Sequence, residues 1–582
     1  MILAIILLLY VVATQVVTAQ PLLVSITTDG NVEGTSAIQR NGNAYTFTSN
    51  LEASIVIDAS NIVLDGAGFT LQGEIYEING DNVEIKNLKI NAPVNAIEVY
   101  GSECKILDNE IQADYTGIRI RESDNNVISG NIIAAEAGAG VAFETSFNNI
   151  VTGNSVTSKI IEGVALAYSD HNTFSGNTIN FVSVYQSSYN TFDGNNLPQG
   201  LMVRHSSNYN NIIGNSVTDF NELAETSIAS SGSISVERSE GNVISSNTIV
   251  NSGGIFLITA SNNMLRNNSV SGTGIGFQVE GAPQPSLSSF INDIDDSNTV
   301  KGKKIYYLTN KSDVRINPST YPNIGYLALV NCTRIIVENT HFNTQGILLA
   351  WTTDSQITNN DVSNNYGDGV ILNYASNNQI TKNNINANIG AGIRLSYSNQ
   401  NLVSGNHITR NQIGIYLIHS ASNNTIAENS IADQDIGINF YASSSNLIYH
   451  NNFANNTKHV DDASWGHPQF PGVPLPSENI WDNDYPIGGN YWGNYANQYP
   501  DAEELGSSSI WNKPYIIDEN NQDRYPLLNP VTIQPVQVPD APDGETPFTP
   551  TENLTTTLIL ALTASAAIVG VGLLLYFKKR KH

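Results

Sequence analysis

A chain of 582 residues with 53 acidic against 26 basic side chains, formal net charge -27, has no basic footprint for nucleic acid or for an anionic membrane surface. The same balance suits solubility in an exposed, saline setting and makes cations the natural counter-partners. Composition alone goes no further.

Residues 1–19 form an apolar run ending in Thr18-Ala19, small residues where a signal peptidase needs them. They read as a secretory signal cleaved after Ala19, with an uncleaved anchor as the alternative because the basic n-region is missing. Residues 20–60 follow as an N-terminal cap with the first strands. From there an asparagine marks successive units, at Asn61, Asn82, Asn126, Asn149, Asn172, Asn190, Asn210, Asn242 and Asn263, with Cys104 in an asparagine slot. An interruption over 282–332 contains APQPS and NPSTYPN but also the β-rich runs KKIYYLTN and GYLALVN, and is expected to be irregular coils with protruding loops. The count resumes at Arg334, Ser355, Asn378, Asn401, Asn424 and Asn446.

The repeat is plainest over 369–453, where glycines open four units at Gly369, Gly392, Gly414 and Gly437 and later asparagines fall at Asn383, Asn406, Asn429 and Asn451, a period of 22 to 23 residues. A period in that range means a solenoid. Each unit holds two apolar alternations, G-I-x-L and N-x-I-x-x-N-x-I, and period two means strands. The 3.6 spacing of helical repeats is absent, and so is the L-x-x-L-x-L of a leucine-rich repeat. The expected fold is all-β: a parallel β-helix over 61–454, about 17 coils of about 22 residues, with inward Ile, Val and Leu as one core. Asparagine suits the corners because it tolerates the left-handed backbone conformation while its amide bonds to the next coil, so the column acts as a register lock.

Residues 455–530 do not repeat and read as a C-terminal cap whose Trp465, Trp481, Trp492 and Trp511 cover the last open coil. Residues 531–553 are rich in proline and acid and read as an extended stalk. The apolar segment 554–577 is long enough to cross a bilayer, and the basic tail 578–582 should stay inside. The expected topology is a cell-surface, single-pass membrane protein with an extracellular N-terminal body, its membrane contact made by the C-terminal helix. Sequons at Asn267, Asn310, Asn331, Asn423, Asn455 and Asn553 could carry glycans. Cys104 and Cys332 lie about nine coils apart, roughly 40 Å at the spacing of parallel strands. A disulfide needs its α-carbons within about 7 Å, so none is expected, and neither is a metal site built on cysteine.

The coils, the segment NTVKGKKIYYLTN at 298–310, and above all NIWDNDYPIGGNYWGNY at 479–495 with KPYIIDENNQDRYPLL at 513–528 resemble the NosD-type right-handed β-helix family, in particular its archaeal surface-anchored members. The resemblance spans nearly all of 24–530. It implies that fold, and either periplasmic copper binding or the carbohydrate-binding and sugar-hydrolase activity of related repeats. Where similar proteins carry a GIGD stretch, residues 506–512 read GSSSIWN.

Three chemistries follow. Cuprous ion prefers Cys and Met and cupric ion clustered His; the only His grouping is His450, His459 and His467, with Asp461 and Asp462, a candidate site for a divalent cation such as calcium or copper, although no cofactor is required. Polysaccharide cleavage on a β-helix uses adjacent outward carboxylates with a basic partner. Among the paired acids, which include Asp295-Asp296 and Asp461-Asp462, Asp433 and Asp435 are the best placed, with Arg394 and Arg410 on nearby coils but without the GHG or RIK context of β-helix pectin hydrolases. For binding, the fifth residue after each repeat glycine gives Trp351, Tyr374, Tyr397 and His419, a column of rings. The rings either stack at a coil corner, or face out as a strip on which a polysaccharide or envelope glycan could stack. The expected function is a non-enzymatic, envelope-associated carbohydrate-binding or adhesive element, with a β-helix polysaccharide lyase or hydrolase and NosD-type copper delivery as alternatives.

Overall fold

The computed structural model describes residues 22–160, 162–218, 232–250, 253–272, 275–278, 286–463, 476–534 and 536. The expected signal segment, the membrane helix, the basic tail and most of the stalk lie outside them, as do Trp465, His467 and Asn553. Among the described residues no helix is long and apolar enough to cross a membrane. The chain is an all-β solenoid of about 18 turns with coils of ~22 residues. It divides into two compact units, Met1–Asp219 with Ile234–Val243, and Phe220–Ser233 with Ile244–His582.

In the first unit, parallel strands stack in strict register. Ile118 pairs with Val141, Val141 with Val164, Val164 with Val182 and Val182 with Leu201, all at 0% exposure. Alternate residues point out, and Arg119, Ala142, Ala165, Ser183 and Met202 form the matching outer row. A second wall contributes one core residue per coil: Ile106, Ile128, Val151, Phe174, Phe192 and Ile212. At the N-terminal end the antiparallel hairpin of Ile38–Asn41 and Ala44–Phe47 precedes Leu51–Ile57, which already pairs in parallel with Thr70–Ile78. Leu23–Ile26 in turn pairs in parallel with Leu51–Ile57, so parallel stacking begins there, ahead of Asn61, the first asparagine of the count.

In the second unit the coils from Ile324 to Ala454 each contribute a strand to three walls. The longest strands run from Lys303–Thr309 and Ile324–Val330 through Ala391–Ser396 and Ile413–Ile418 to Lys458–Asp462. The other two walls are seven-stranded, one ending at Leu447–Tyr449, the other running from His341–Phe342 to Tyr491–Trp492. The described part of the expected interruption thus continues the stack, with a register shift between Lys304 and Ile305. The repeat glycines are required by space. A Cβ on Gly414 would lie 2.4 Å from the carbonyl oxygen of Gly437 on the next coil, and one on Gly437 would lie 2.5 Å from that of His459.

The asparagine column divides its two jobs between adjacent residues. Asn126 donates its backbone N–H to Asn149 Oδ1 at 2.8 Å, Asn149 to Asn172 at 2.9 Å and Asn172 to Asn190 at 2.8 Å, and all four are buried. The left-handed conformation belongs to the residue before: Asn125, Asn148, His171 and Tyr189 have φ between 57° and 60°. This corrects the register at three places. Glu84, Lys105 and Val127 share one position, so Cys104 and Asn126 follow Val83, not Asn82. Asn61 and Asn82 are left-handed corner residues, and so is Arg334, because Ile335 is the residue that bonds to Ser355 Oγ. Cys104 does occupy the ladder, donating its N–H to Asn126 Oδ1 at 2.8 Å. Both cysteines are free and buried.

The C-terminal cap ends these ladders. Asn479 donates to Asn521 Oδ1 at 2.9 Å and Asn490 to Asp523 Oδ2 at 2.7 Å. The indole N–H groups of Trp481 and Trp492 donate to the same two acceptors. Phe453, Trp492 and Tyr515 stack at 4.5 and 4.1 Å over the last core residues. Arg524 is held by Asp482 and Asp484 at 2.6 Å each. A Cβ on Gly489 would lie 1.9 Å from Asp523 Oδ1, so that glycine admits the carboxylate. The specific WDND, GGNYW and NNQDRYPL signatures are therefore the parts of a terminator.

Candidate functional site

The site is built on the outer face of the long-strand wall of the second unit. Along Ala391–Ser396, Ile413–Ile418 and Ile436–Tyr441, the core takes Ile393, Leu395, Ile415, Leu417, Ile438 and Phe440. Alternation turns Arg394, Tyr416 and Asn439 outward, and register places them in one row followed by Asp461. At one side of the row Asp368 forms an ion pair with Arg394 and accepts the Ala391 N–H at 2.6 Å. At the other side stands the aromatic column.

The column is a stack. Trp351 and Tyr374 are 4.6 Å apart with 5° between planes, Tyr374 and Tyr397 are 4.6 Å apart at 9°, and Tyr397 and His419 are 5.1 Å apart at 22°. Phe290 and Tyr441 close its two ends edge-on. All four rings are on left-handed corner residues, φ 48° to 53°. Trp351, Tyr374 and Tyr397 are half-buried and His419 is exposed, so the column is outside the core. The rings cover one another's faces. Of the two arrangements left open by the sequence, the column takes the stack at a coil corner. His419 Nδ1 is 3.3 Å from Ser396 Oγ, which brings the column over the wall beside Arg394.

Three buried polar atoms here have no hydrogen-bond partner: Tyr374 Oη, Arg394 Nε and Asn439 Oδ1. Asn439 is only 7% exposed. Burial raises the Tyr416 hydroxyl above its ordinary range, opposed by Arg394 and reinforced by Tyr441, Asp368 and Asp461. Although His419 is exposed as a residue, desolvation of its imidazole where it lies against Tyr397, helped by Arg394, holds it below its ordinary value. Asp368, Tyr416 and Asn439 escaped sequence reasoning, since each is a lone residue in its own coil, and only the Gly-I-x-L frame with its outward x could have flagged the latter two.

The other expected groupings do not assemble. Asp433 and Asp435 are exposed; Asp433 and Arg410 are left-handed corners at the same register position of successive coils, and Arg410 donates to Asn386 Oδ1 at 3.0 Å. His450 Nε2 is 2.9 Å from the Ile487 carbonyl, and His459 Nδ1 is 3.2 Å from the Asn456 amide. Asp461 pairs with Lys458, and Asp462 accepts the Ser477 N–H at 2.6 Å. Among the described residues no three His, Cys, Asp or Glu side chains form a metal-holding group. The soft donors do not supply one either: burial pushes the Cys104 thiol up to about 11 and raises that of Cys332, while a metal ligand must be thiolate. The described residues therefore do not fit a copper ion. The five described sequon asparagines, Asn267, Asn310, Asn331, Asn423 and Asn455, are all exposed corner residues.

Stacked parallel coils with an outward polar row define a parallel β-helix protein. A family model described as periplasmic copper-binding protein (NosD) matches residues 51–227 and 290–497. The chain belongs to the NosD family. No curated protein matches it. Among solved structures, DFA-IIIase from Arthrobacter chlorophenolicus A6 without its lid is similar at 16% identity, covering 45% of this chain and 70% of its own, with a TM-score of 0.29. The periplasmic alginate epimerase AlgG is similar at 10% identity over 73% of this chain and 80% of its own, with a TM-score of 0.17. The Dettilon tailspike protein is similar at 14% identity over 65% and 60%, with a TM-score of 0.24.

Proposed function

We propose that this NosD-family protein is a non-enzymatic, extracellular glycan-binding element, carried on the cell surface by its C-terminal apolar segment and used in adhesion to, or organisation of, an envelope polysaccharide. The observation that carries the reading is the outward row of Arg394, Tyr416, Asn439 and Asp461, one residue per successive coil at the same register position, with Asp368 paired to Arg394. Donors and acceptors repeated at a fixed spacing suit the hydroxyls of an extended sugar chain. The row lies along the coil axis, where one extended chain meets several coils and weak contacts add. Exposed sequons and an apparent secretory start agree with an extracellular body.

The test is a glycan array with a parallel turnover assay on the full-length protein. Binding without turnover supports the reading. Turnover of a bound polysaccharide replaces it with an enzyme, and the absence of any glycan binding overturns it.

A further inference from the structure

The wall of short strands running from His341–Phe342 to Tyr491–Trp492 carries an outward row of one polar residue per coil: His341, Asp361, Asn384, His407, Ser430 and Asn452. The C-terminal half of the row already holds a chain. Asn452 clamps the backbone of Val531 on both sides, its Oδ1 accepting the Val531 N–H and its Nδ2 donating to the Val531 carbonyl, each at 2.8 Å, and His407 Nε2 lies 3.0 Å from the Gln534 carbonyl. These contacts read main chain, not side chains, so they suit an extended segment. Val531, Ile533 and Val536 are half-buried while Thr532 and Gln534 are exposed, the alternation of an extended strand with one side on a support. The support is low, because the outward neighbours of the row there are the small residues Thr409, Ala432 and Ala454. The chain runs backwards, from the coil of Asn452 to that of His407, and so points along the remainder of the row.

Spacing and charge tell how far it goes. From His407 to His341 is three coils, about 14 Å, which an extended chain covers in about four residues beyond Gln534. Residues 535–539 read PVQVP, uncharged, and Asp540 is the first acid of the segment. One coil beyond His341 stands Lys303: its strand Lys303–Thr309 pairs with Ile324–Val330 of the His341 coil, and its Nζ donates to Asn343 Oδ1 at 2.8 Å. Lys301 is two residues away, its Nζ 4.3 Å from the centre of the Tyr366 ring. An uncharged run as long as the row thus ends in an acid where the wall ends in two lysines. We propose that the row from Asn452 back to His341 is a docking track for the protein's own C-terminal segment, with residues 531–539 lying along it and the Asp540 carboxylate paired with Lys303. The segment then leaves the second unit beside the His341 coil and not at the cap. The track and the Arg394 row are on different walls, so a ligand on one does not compete with the chain on the other. This inference stands independently of the glycan-binding reading.

Treatment of the full-length protein with a water-soluble carbodiimide, which joins a carboxylate to an amine in direct contact with it, tests the pairing, with the product located by mass-spectrometric peptide mapping. The exposed ion pair of Lys513 and Asp501, at 2.6 Å in the cap, is the internal control. The expected product is an amide bond between Lys303 and Asp540. Asn452→Ala combined with His407→Ala removes both pins of the strap and should lower that product at least about tenfold, since the track is what holds the acid at high effective concentration beside the lysine. The control product, formed in the variant as in the natural chain, shows that the cap is intact. If the control couples while Lys303 couples to no acid of the segment, or to Asp543 or Glu545 in preference to Asp540, the proposal is overturned. An undiminished product in the double variant overturns it as well, because Asp540 would then reach Lys303 without the track.

Discussion

Trp351 and Tyr374, one coil apart, lie face to face at 4.6 Å with 5° between their planes, and Tyr374 repeats the contact with Tyr397 at 4.6 Å. Each stacked aromatic pair is worth about 0.5–1.5 kcal/mol beyond the area it buries. Tyr374→Ala removes two such contacts and should destabilise the protein by about 1–3 kcal/mol from stacking alone. His419→Ala removes one face contact and should cost less. Alanine is acceptable to the backbone, since Ala442 takes the same left-handed corner at φ 52°. Denaturant unfolding of the two variants checks the order; equal losses would deny the stack a structural role.

The ladders make a sharper contrast. Asn401 Oδ1 accepts the Asn378 N–H at 2.9 Å, and its amide donates to the Ala375 carbonyl at 2.9 Å, all in the buried interior of the corner. Asn401→Ala strands both groups, at about 1–3 kcal/mol each, for a loss of about 2–6 kcal/mol. Cys104 stands at the same kind of position, with its Sγ 3.5 Å from the Gly80 carbonyl. Cys104→Asn offers that carbonyl an amide donor and the preceding coil an acceptor, and should be neutral or stabilising by up to about 1 kcal/mol. Paired melting curves decide it, and a costly Cys104→Asn would mean the slot is shaped for sulfur.

The solenoid was legible because its cause is local and repeated. Gly369, Gly392, Gly414 and Gly437 mark one close approach of backbones, and the flanking Ile and Leu state which way the strand faces. The one-residue error at Asn82 and Arg334 has an equally local origin. Asn125-Asn126, Asn148-Asn149 and Asn377-Asn378 put the left-handed residue and the ladder residue side by side in the same amino acid, so sequence cannot tell which column it is counting. The row Asp368, Arg394, Tyr416 and Asn439 was illegible for a different reason. Its members are unlike one another and come together only through the register of separate coils. The ring column was legible as a column, but its faces are used up by the coil spacing itself.

Desolvation of its stacked ring holds His419 below the ordinary imidazole value of 6.5, aided by Arg394, and burial lowers His459, opposed by the Asn494 side chain. Below 6.5 the unfolded chain therefore binds more protons at these two sites than the folded one. The stability they allow is fully present above pH 6.5 and is lost as pH falls through the window beneath it. Melting temperature should drop between pH 7 and pH 5 by more in the natural chain than in a His419→Asn, His459→Gln double variant. An identical slope in both would remove these histidines from the account.

The start of the expected stalk is not free. Val531 and Asn452 exchange two hydrogen bonds of 2.8 Å, N–H to Oδ1 and Nδ2 to carbonyl, and the Gln534 carbonyl is 3.0 Å from His407 Nε2. Asn452 and His407 are register partners two coils apart, each aligned with Ser430 between them, on the wall of short strands. Two coils are about 10 Å, and three residues of extended chain span the same distance. Residues 531–534 therefore lie along this wall as a strap, and a protease that needs an unpinned backbone should first cut the proline-rich segment beyond 536. Asn452→Ala removes both partners of Val531 and leaves the core residue Phe453 in place, so the first cut should move upstream to 531–534 while the melting temperature changes little. N-terminal sequencing of the released C-terminal fragment reads the position, and an unchanged cleavage site in Asn452→Ala would mean the strap is not what protects these residues.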